Sequence, residues 1–184
     1  GLVFYFFGSK ANKKINFIEQ LTIIFLVYLI ISFLISIPFY LSNFKISFLS
    51  AYFESISGLT GTGFSIFKNI KYLDPTLIIW RSSSQWIGGL YFLIFLIFLF
   101  SNKSFNYKMT NLTYSGDDNF KSEENIKNNV LKIFIFYVVL GLIIFILLNT
   151  SGVRLFNSLN LSMTLLSGGG FLPSDNLIEI ISSN

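Results

Sequence analysis

The chain has 184 residues, of which 53% are hydrophobic and only 12% are charged, about half the charged fraction of a typical soluble domain. Together with a mean hydropathy of +0.67, this composition predicts an integral membrane protein and argues against a soluble enzyme. Cysteine and histidine are absent, which excludes disulfides, thiolate or imidazole metal sites and the catalytic triads built on these residues.

The net charge of +4 indicates loop charge that sets membrane topology. It does not indicate nucleic-acid binding, because no basic stripe with interleaved aromatic residues accompanies it. Abundant Phe, Ile, Lys and Asn match AT-rich codon use and favour a bacterial source. We expect a multi-pass protein of the cytoplasmic (inner) membrane, in contact with its lipid.

Residues 1–14 are expected to be the tail of a preceding helix and a cytoplasmic loop. Leu2–Phe7 is apolar but too short to span a bilayer, so the sequence predicts a fragment whose first helix begins upstream. Lys10, Lys13 and Lys14 follow. Lysines flank the cytoplasmic ends of membrane spans, so the first span is predicted to start on that side.

Three apolar runs each have about the ~20 residues that a bilayer-crossing helix requires. They cover residues 17–41, 75–100 and 130–148, and the second opens with proline in its first turn, at Asp74-Pro75. The polar segment 101–127 contains several lysines and is predicted to be a cytoplasmic loop. The segment 42–74 must then lie on the outer side or dip into the membrane from there.

A short helix and a glycine-containing tract occupy that outer segment. Phe48–Ser57 has about ten residues, too few to cross a membrane, and the tract Thr60–Gly63 follows it. Glycine permits close backbone approach to a ligand, and carbonyl oxygens at membrane depth can replace the hydration shell of an ion. The helix end would present partial negative charge to a cation.

The same order recurs after the third span. Arg154–Leu166 is a short amphipathic stretch, and a glycine tract, Ser167–Phe171, follows. We interpret this as an internal repeat. The first pore repeat is placed at residues 15–100, and residues 128–184 are predicted to be the start of a second, truncated before its closing span.

At these residues the chain resembles the Trk/Ktr/HKT superfamily of potassium transporters, most closely the TrkH-type membrane subunit. Two strings carry the resemblance: Ala51-Tyr52-Phe53-Glu54-Ser55-Ile56-Ser57-Gly58-Leu59-Thr60-Gly61-Thr62-Gly63 and Trp80-Arg81-Ser82-Ser83-Ser84-Gln85-Trp86-Ile87-Gly88-Gly89. The resemblance implies an all-α transmembrane fold of helix, pore helix, filter and helix, repeated four times around one conduction path. About two of the four repeats are present here.

The resemblance also implies K⁺ as the transported ion, no enzymatic activity and no other cofactor. The implied partners are the remaining repeats of the parent chain, a second copy in a homodimer and a cytoplasmic nucleotide-binding regulatory subunit. The family has one filter glycine per repeat, carried over here to Gly63 and Gly169. The residues expected to line the K⁺ filter are Thr60, Gly61, Thr62 and Gly63, then Leu166, Ser167, Gly168 and Gly169.

Two positions depart from the family pattern, which has Thr where Gly61 and Gly168 stand. Backbone carbonyls survive both changes. Glu54 and Arg81 are predicted to support the filter, because ionisable residues at membrane depth are costly and usually functional. The hypothesis is that they pair and fix the pore helix against the following span. Gly88-Gly89 is interpreted as a close helix-packing surface.

Two other functions are compatible with the sequence. One is a secondary transporter or permease of another class, in which a broken helix forms a binding site at mid-membrane and the repeats are inverted. The other is a non-conducting membrane subunit in which the glycine tracts only pack. A filter would be sensitive to Gly63→Ser, whereas a packing loop would tolerate it.

Overall fold

The computed structural model describes residues 16–101 and 123–174, and this part of the chain is helical with no strand. The lysine cluster at 10–14 and nearly all of the predicted cytoplasmic loop lie outside the described residues. The helices, in chain order, are α1 (Phe17–Tyr40), α2 (Phe48–Thr60), a 3₁₀ turn (Ile70–Tyr72), α3 (Pro75–Ser101), α4 (Glu123–Thr150) and α5 (Leu155–Ser167).

Within the described residues, three helices are long and apolar enough to cross a membrane. They contain the segments Ile18–Tyr40, Pro75–Leu99 and Asn128–Thr150, and they confirm the three spans predicted from hydropathy. Helix α3 begins at the predicted proline, and the Asp74 carbonyl accepts the backbone N–H of Leu77 at 2.9 Å. Proline suits this position because the first turn of a helix does not use its N–H groups.

Two short helices, α2 and α5, have 13 residues each. Ser47 caps the start of α2, where its hydroxyl oxygen accepts the backbone N–H of Ser50 at 3.2 Å. Both helices end later than the sequence predicts, at Thr60 and Ser167 rather than at 57 and 166. The difference arises because the helix stops only where a glycine adopts the left-handed conformation.

Helix α3 packs against both short helices and thereby positions them. Its small residues allow the close approach: a Cβ on Gly88 would lie 1.9 Å from the carbonyl oxygen of Leu59, and a Cβ on Gly58 would lie 2.2 Å from Ser84 Oγ. The predicted packing role of Gly88 is therefore confirmed. The same Leu59 carbonyl accepts the hydroxyl group of Tyr28 of α1 at 2.6 Å.

The apolar core lies where α1, α2 and α3 meet. Its buried residues are Ile35, Phe39, Ala51, Leu59, Leu73, Leu77 and Ile78. By contrast, α1 and α4 leave many large apolar side chains exposed, including Phe25, Phe136 and Leu147. Such faces suit lipid or further helices rather than water.

Candidate functional site

The first glycine tract begins at a left-handed helix stop. Gly61 has φ +70° and its N–H returns to the carbonyl of Gly58 at 3.1 Å. The next N–H, that of Thr62, donates to the Ser57 carbonyl at 3.1 Å. Gly63 also has positive φ, at +75°. The backbone after α2 therefore folds back over the last helical turn.

The second tract repeats this geometry at a constant offset of 107 residues. Gly168 has φ +69° and donates to the Leu165 carbonyl, and Gly169 donates to the Thr164 carbonyl at 2.9 Å. This register pairs Gly170, not Gly169, with Gly63. The helix caps thus give a register one residue later than the alignment of Gly169 with Gly63 that is predicted from the Gly-Gly-Phe string.

The two tracts meet backbone to backbone. A Cβ on Gly63 would lie 2.8 Å from Gly170 Cα and 2.9 Å from Gly170 N, and a Cβ on Gly61 would lie 3.7 Å from the carbonyl oxygen of Ser167. Two segments about a hundred residues apart in sequence thus reach the same place in the fold. Only glycine fits at Gly63, since both its φ and its neighbour exclude a side chain.

The hydrogen bonds also set the direction of the carbonyl groups. In a trans peptide the N–H and the preceding C=O point in opposite directions, and the described residues contain no cis peptide. Because the N–H groups of Thr62 and Gly169 point back at their helices, the carbonyls of Gly61 and Gly168 point away from them. Each tract therefore offers carbonyl oxygens on its helix-distal side.

Three hydroxyl groups brace the first tract. Ser57 Oγ donates to the Phe64 carbonyl at 2.5 Å and lies 3.1 Å from Thr62 Oγ1. Thr60 Oγ1 lies 3.1 Å from the same Thr62 oxygen and donates to the Ile56 carbonyl of its own helix at 2.8 Å. The side chains of the predicted tract residues thus serve the backbone conformation.

Glu54 and Arg81 form the ion pair that the sequence predicts. Arg81 Nε lies 2.8 Å from Glu54 Oε1, with side chains 1% and 0% exposed. The carboxylate also accepts from Ser65 Oγ and from the backbone N–H of Ile66, both at 2.9 Å. A buried ion pair is stable only when such additional bonds satisfy it. The pair ties α2 and α3 to the segment that follows the first tract.

Arg81 also contacts the second tract. Its guanidinium carbon lies 4.1 Å from the centroid of the Phe171 ring, and Nη1 donates to the Leu172 carbonyl at 3.5 Å. The close ring contact is a cation–π interaction in a desolvated setting. Arg81 therefore contacts Ser65, which follows the first tract, and Leu172, which follows the second.

Gln85 is a buried site residue that the sequence analysis missed. It is 0% exposed, and its amide oxygen accepts the N–H of Gly170 at 3.1 Å and of Phe171 at 3.2 Å in the amide orientation that satisfies both ends. A usable signal was present in the sequence, because Gln85 lies four residues after Arg81 and so on the same helix face.

Of the predicted site residues, the structure brings Gly61, Gly63 and Ser167 close to the contact between the two tracts. Thr60, Leu166 and Ser167 lie in the last turns of their helices rather than in extended tracts. The final carbonyls of a helix lack intrahelical donors, so this location leaves them available. Glu54 and Arg81 hold the segment just after the first tract, through Ser65 and the backbone N–H of Ile66.

Comparison with known proteins gives a consistent result over nearly the whole chain. Residues 3–183 match the family model described as "TrkH: Cation transport protein". The chain is 32% identical to "Uncharacterized cation transporter MJ1485" of Methanocaldococcus jannaschii over 95% of its own length and 38% of that relative. It is 22% identical to "Trk system potassium uptake protein TrkG" of Escherichia coli, over 89% of this chain and 34% of that protein.

A shorter match, with a higher percentage identity, involves "Trk system potassium uptake protein TrkI" of Halomonas elongata. It is 40% identical over 55 residues, which are 30% of this chain and 11% of that protein. The chain thus spans little more than a third of the length of the curated relatives that it matches along most of its own length.

Proposed function

The chain belongs to the TrkH family of cation transport proteins, and we propose that it serves potassium uptake through the cytoplasmic membrane. The family is one of transporters, so the expected absence of enzymatic activity is confirmed, as are the multi-pass character and the membrane localisation. The transported ion, the filter and the partners are proposals, since the chain covers 38% of the M. jannaschii relative.

In the proposed pathway, K⁺ enters from the outer side and exchanges hydration water for backbone carbonyl oxygens. The first tract contributes carbonyls among Thr60, Gly61 and Thr62. When the two tracts are aligned by their helix caps, Gly61 and Gly168, the second tract contributes carbonyls among residues 167–169, and Gly170 corresponds to Gly63. Two further repeats would complete the ring, and the implied homodimer and nucleotide-binding regulatory subunit belong to the same proposal.

One observation carries this proposal: the two glycine tracts make contact with each other at the ends of two short helices. The contact is between Gly63 and Gly170, and each tract turns carbonyl groups away from its own helix. The C-terminal ends of α2 and α5 carry partial negative charge, which favours a cation near the tracts.

The geometry favours this function over the two alternatives. A permease with inverted repeats would place its broken helices in opposite orientations. Here two membrane-length helices of the described chain, α3 and α4, separate the short helices, so both short helices enter from the same side of the membrane. The second alternative, a non-conducting subunit in which the tracts only pack, is tested by substitution of Gly63.

The test is rescue of a potassium-uptake-deficient bacterium at low external K⁺ by the full-length gene that encodes this sequence. Gly63→Ser is expected to abolish rescue or to make it sensitive to Na⁺, because the side chain would collide with Gly170. The matched control is Gly152→Ser. Gly152 also has positive φ, at +91°, so it carries the same backbone penalty of ~1–2 kcal/mol, but it lies outside both tracts.

Each result has a definite meaning once membrane levels of the proteins are shown to be equal. Rescue by wild type and by Gly152→Ser, with rescue by Gly63→Ser that becomes sensitive to Na⁺, supports a filter at the first tract, because a packing defect alone would not change the ion preference. Equal rescue by all three would mean that the tract only packs. Absence of rescue by the wild type would favour the permease or the non-conducting subunit.

A further inference from the structure

The two tracts differ in how their backbones are held. The first has a hydroxyl brace from its own pore helix, the Ser57 contact with the Phe64 carbonyl and with Thr62 Oγ1. At the corresponding places the second tract has Thr164 and Gly169. Thr164 Oγ1 donates instead to the Leu161 carbonyl of its own helix at 3.1 Å, and Gly169 has no side chain. Helix α5 therefore supplies no equivalent brace.

Helix α3 fills this gap with Gln85. The Gln85 amide oxygen accepts two consecutive backbone N–H groups of the tract, those of Gly170 and Phe171. A Cβ on Gly169 would lie 2.2 Å from the Gln85 amide carbon. The missing side chain at Gly169 thus provides the space in which the Gln85 amide lies.

The hydrogen bonds to Gln85 determine where two carbonyl groups point. Because trans peptides oppose their N–H and C=O groups, an amide oxygen that holds the N–H groups of Gly170 and Phe171 turns the carbonyls of Gly169 and Gly170 away from α3. We propose that Gln85 is a positioning residue that orients the Gly169 carbonyl toward the ion and fixes the adjacent Gly170 carbonyl, in place of the hydroxyl brace of the first tract. The proposal rests on the proposed function.

This assignment gives α3 a defined role for both tracts. Arg81 holds the chain after the first tract through Glu54 and Ser65, and it reaches Leu172 after the second. Gln85, one helical turn further along, holds the second tract itself. Both side chains are essentially fully buried, so water cannot replace their hydrogen bonds without a change in packing.

The test compares variants of the full-length protein, reconstituted in liposomes, by K⁺ and Na⁺ flux. Gln85→Met keeps the length of the side chain but has no strong acceptor. Ser82→Ala is the control: Ser82 is buried on the same helix, and its hydroxyl donates to the Ile78 carbonyl of α3 itself at 3.2 Å. We expect Gln85→Met to lower the K⁺/Na⁺ flux ratio about tenfold, the effect of losing two neutral hydrogen bonds, and Ser82→Ala to leave it unchanged.

Gly169→Ala provides a second route to the same perturbation, because the added methyl group displaces the Gln85 amide. It should lower the flux ratio as Gln85→Met does, and the double variant should be no worse than the more severe single variant. If Gln85→Met does not accumulate in membranes, Gly169→Ala carries the prediction alone.

A wild-type flux ratio in Gln85→Met, or in Gly169→Ala when only that variant accumulates, would overturn the role of Gln85 and leave the proposed function intact. Additive losses in the double variant would also overturn it, because two changes that remove the same contact cannot act independently. A wild-type protein that carries no K⁺ would overturn the proposed function and this inference together.

Discussion

The buried pair of Glu54 and Arg81 allows the sharpest quantitative prediction. Both side chains are excluded from solvent, and the carboxylate has three donors: Arg81 Nε, Ser65 Oγ and the Ile66 N–H. Glu54→Gln removes the negative charge and leaves a buried guanidinium. Arg81→Gln leaves a buried carboxylate with two neutral donors. Each single change should destabilise the protein by ~3–5 kcal/mol, the usual effect of leaving one buried charge unpaired.

The double variant should lose much less than the sum of the single losses. Neither charge remains, and the amides can still bond to Ser65 and to the Ile66 backbone. We expect the double variant to be at least as stable as the less stable single variant, so the coupling free energy should be at least the smaller single loss, about 3–5 kcal/mol. The remaining loss reflects the Phe171 and Leu172 contacts of Arg81, which glutamine does not reproduce.

The assay is equilibrium or thermal unfolding of the purified full-length protein in detergent, for the wild type, the two single variants and the double variant. K⁺ flux in liposomes provides an independent readout. Losses that add within about 0.5 kcal/mol would refute the reasoning, because they would show that the 2.8 Å contact contributes no interaction of its own.

Two further predictions concern packing and the brace of the first tract. Gly88→Ala should destabilise the protein by ~1–3 kcal/mol in thermal unfolding, since its methyl group would overlap the Leu59 carbonyl. Gly141→Ala should be nearly neutral, because its Cβ would meet Leu166 Cδ2 at 3.4 Å and Trp86 Nε1 at 3.9 Å, both ordinary contact distances. Equal losses would contradict the packing argument. Ser57→Ala should increase the inhibition of K⁺ uptake by Na⁺, because it removes the brace of the first tract. Ser55→Ala is the control and should have no such effect, since the Ser55 hydroxyl bonds within α2. Equal inhibition in the two variants would exclude the brace.

Local features of the sequence were enough to locate the helices. The three spans follow from the length of their apolar runs, and α3 begins at the predicted Pro75. The short helices were also predicted, but their ends were not. The positions of Gly61 and Gly168 in the left-handed conformation decide those ends, and a run such as Gly168-Gly169-Gly170 offers three candidates for one cap.

Part of the site could be predicted for a simple electrostatic reason. Glu54 and Arg81 are separated by 27 residues, yet each is an ionisable residue in an apolar setting and requires a partner. That requirement made their pairing predictable without knowledge of the packing. No comparable requirement singled out Gln85, because an amide can find partners in many places.

What only the tertiary structure decided is the contact between distant parts of the chain. The approach of Gly63 to Gly170, and of Gln85 to the same tract, depends on how α2 and α5 pack against α3. The sequence by itself determined the membrane spans, the short helices and the glycine tracts, because hydropathy, length and backbone freedom are local properties. Register and contact between the tracts are not local, since shape complementarity among three helices sets them.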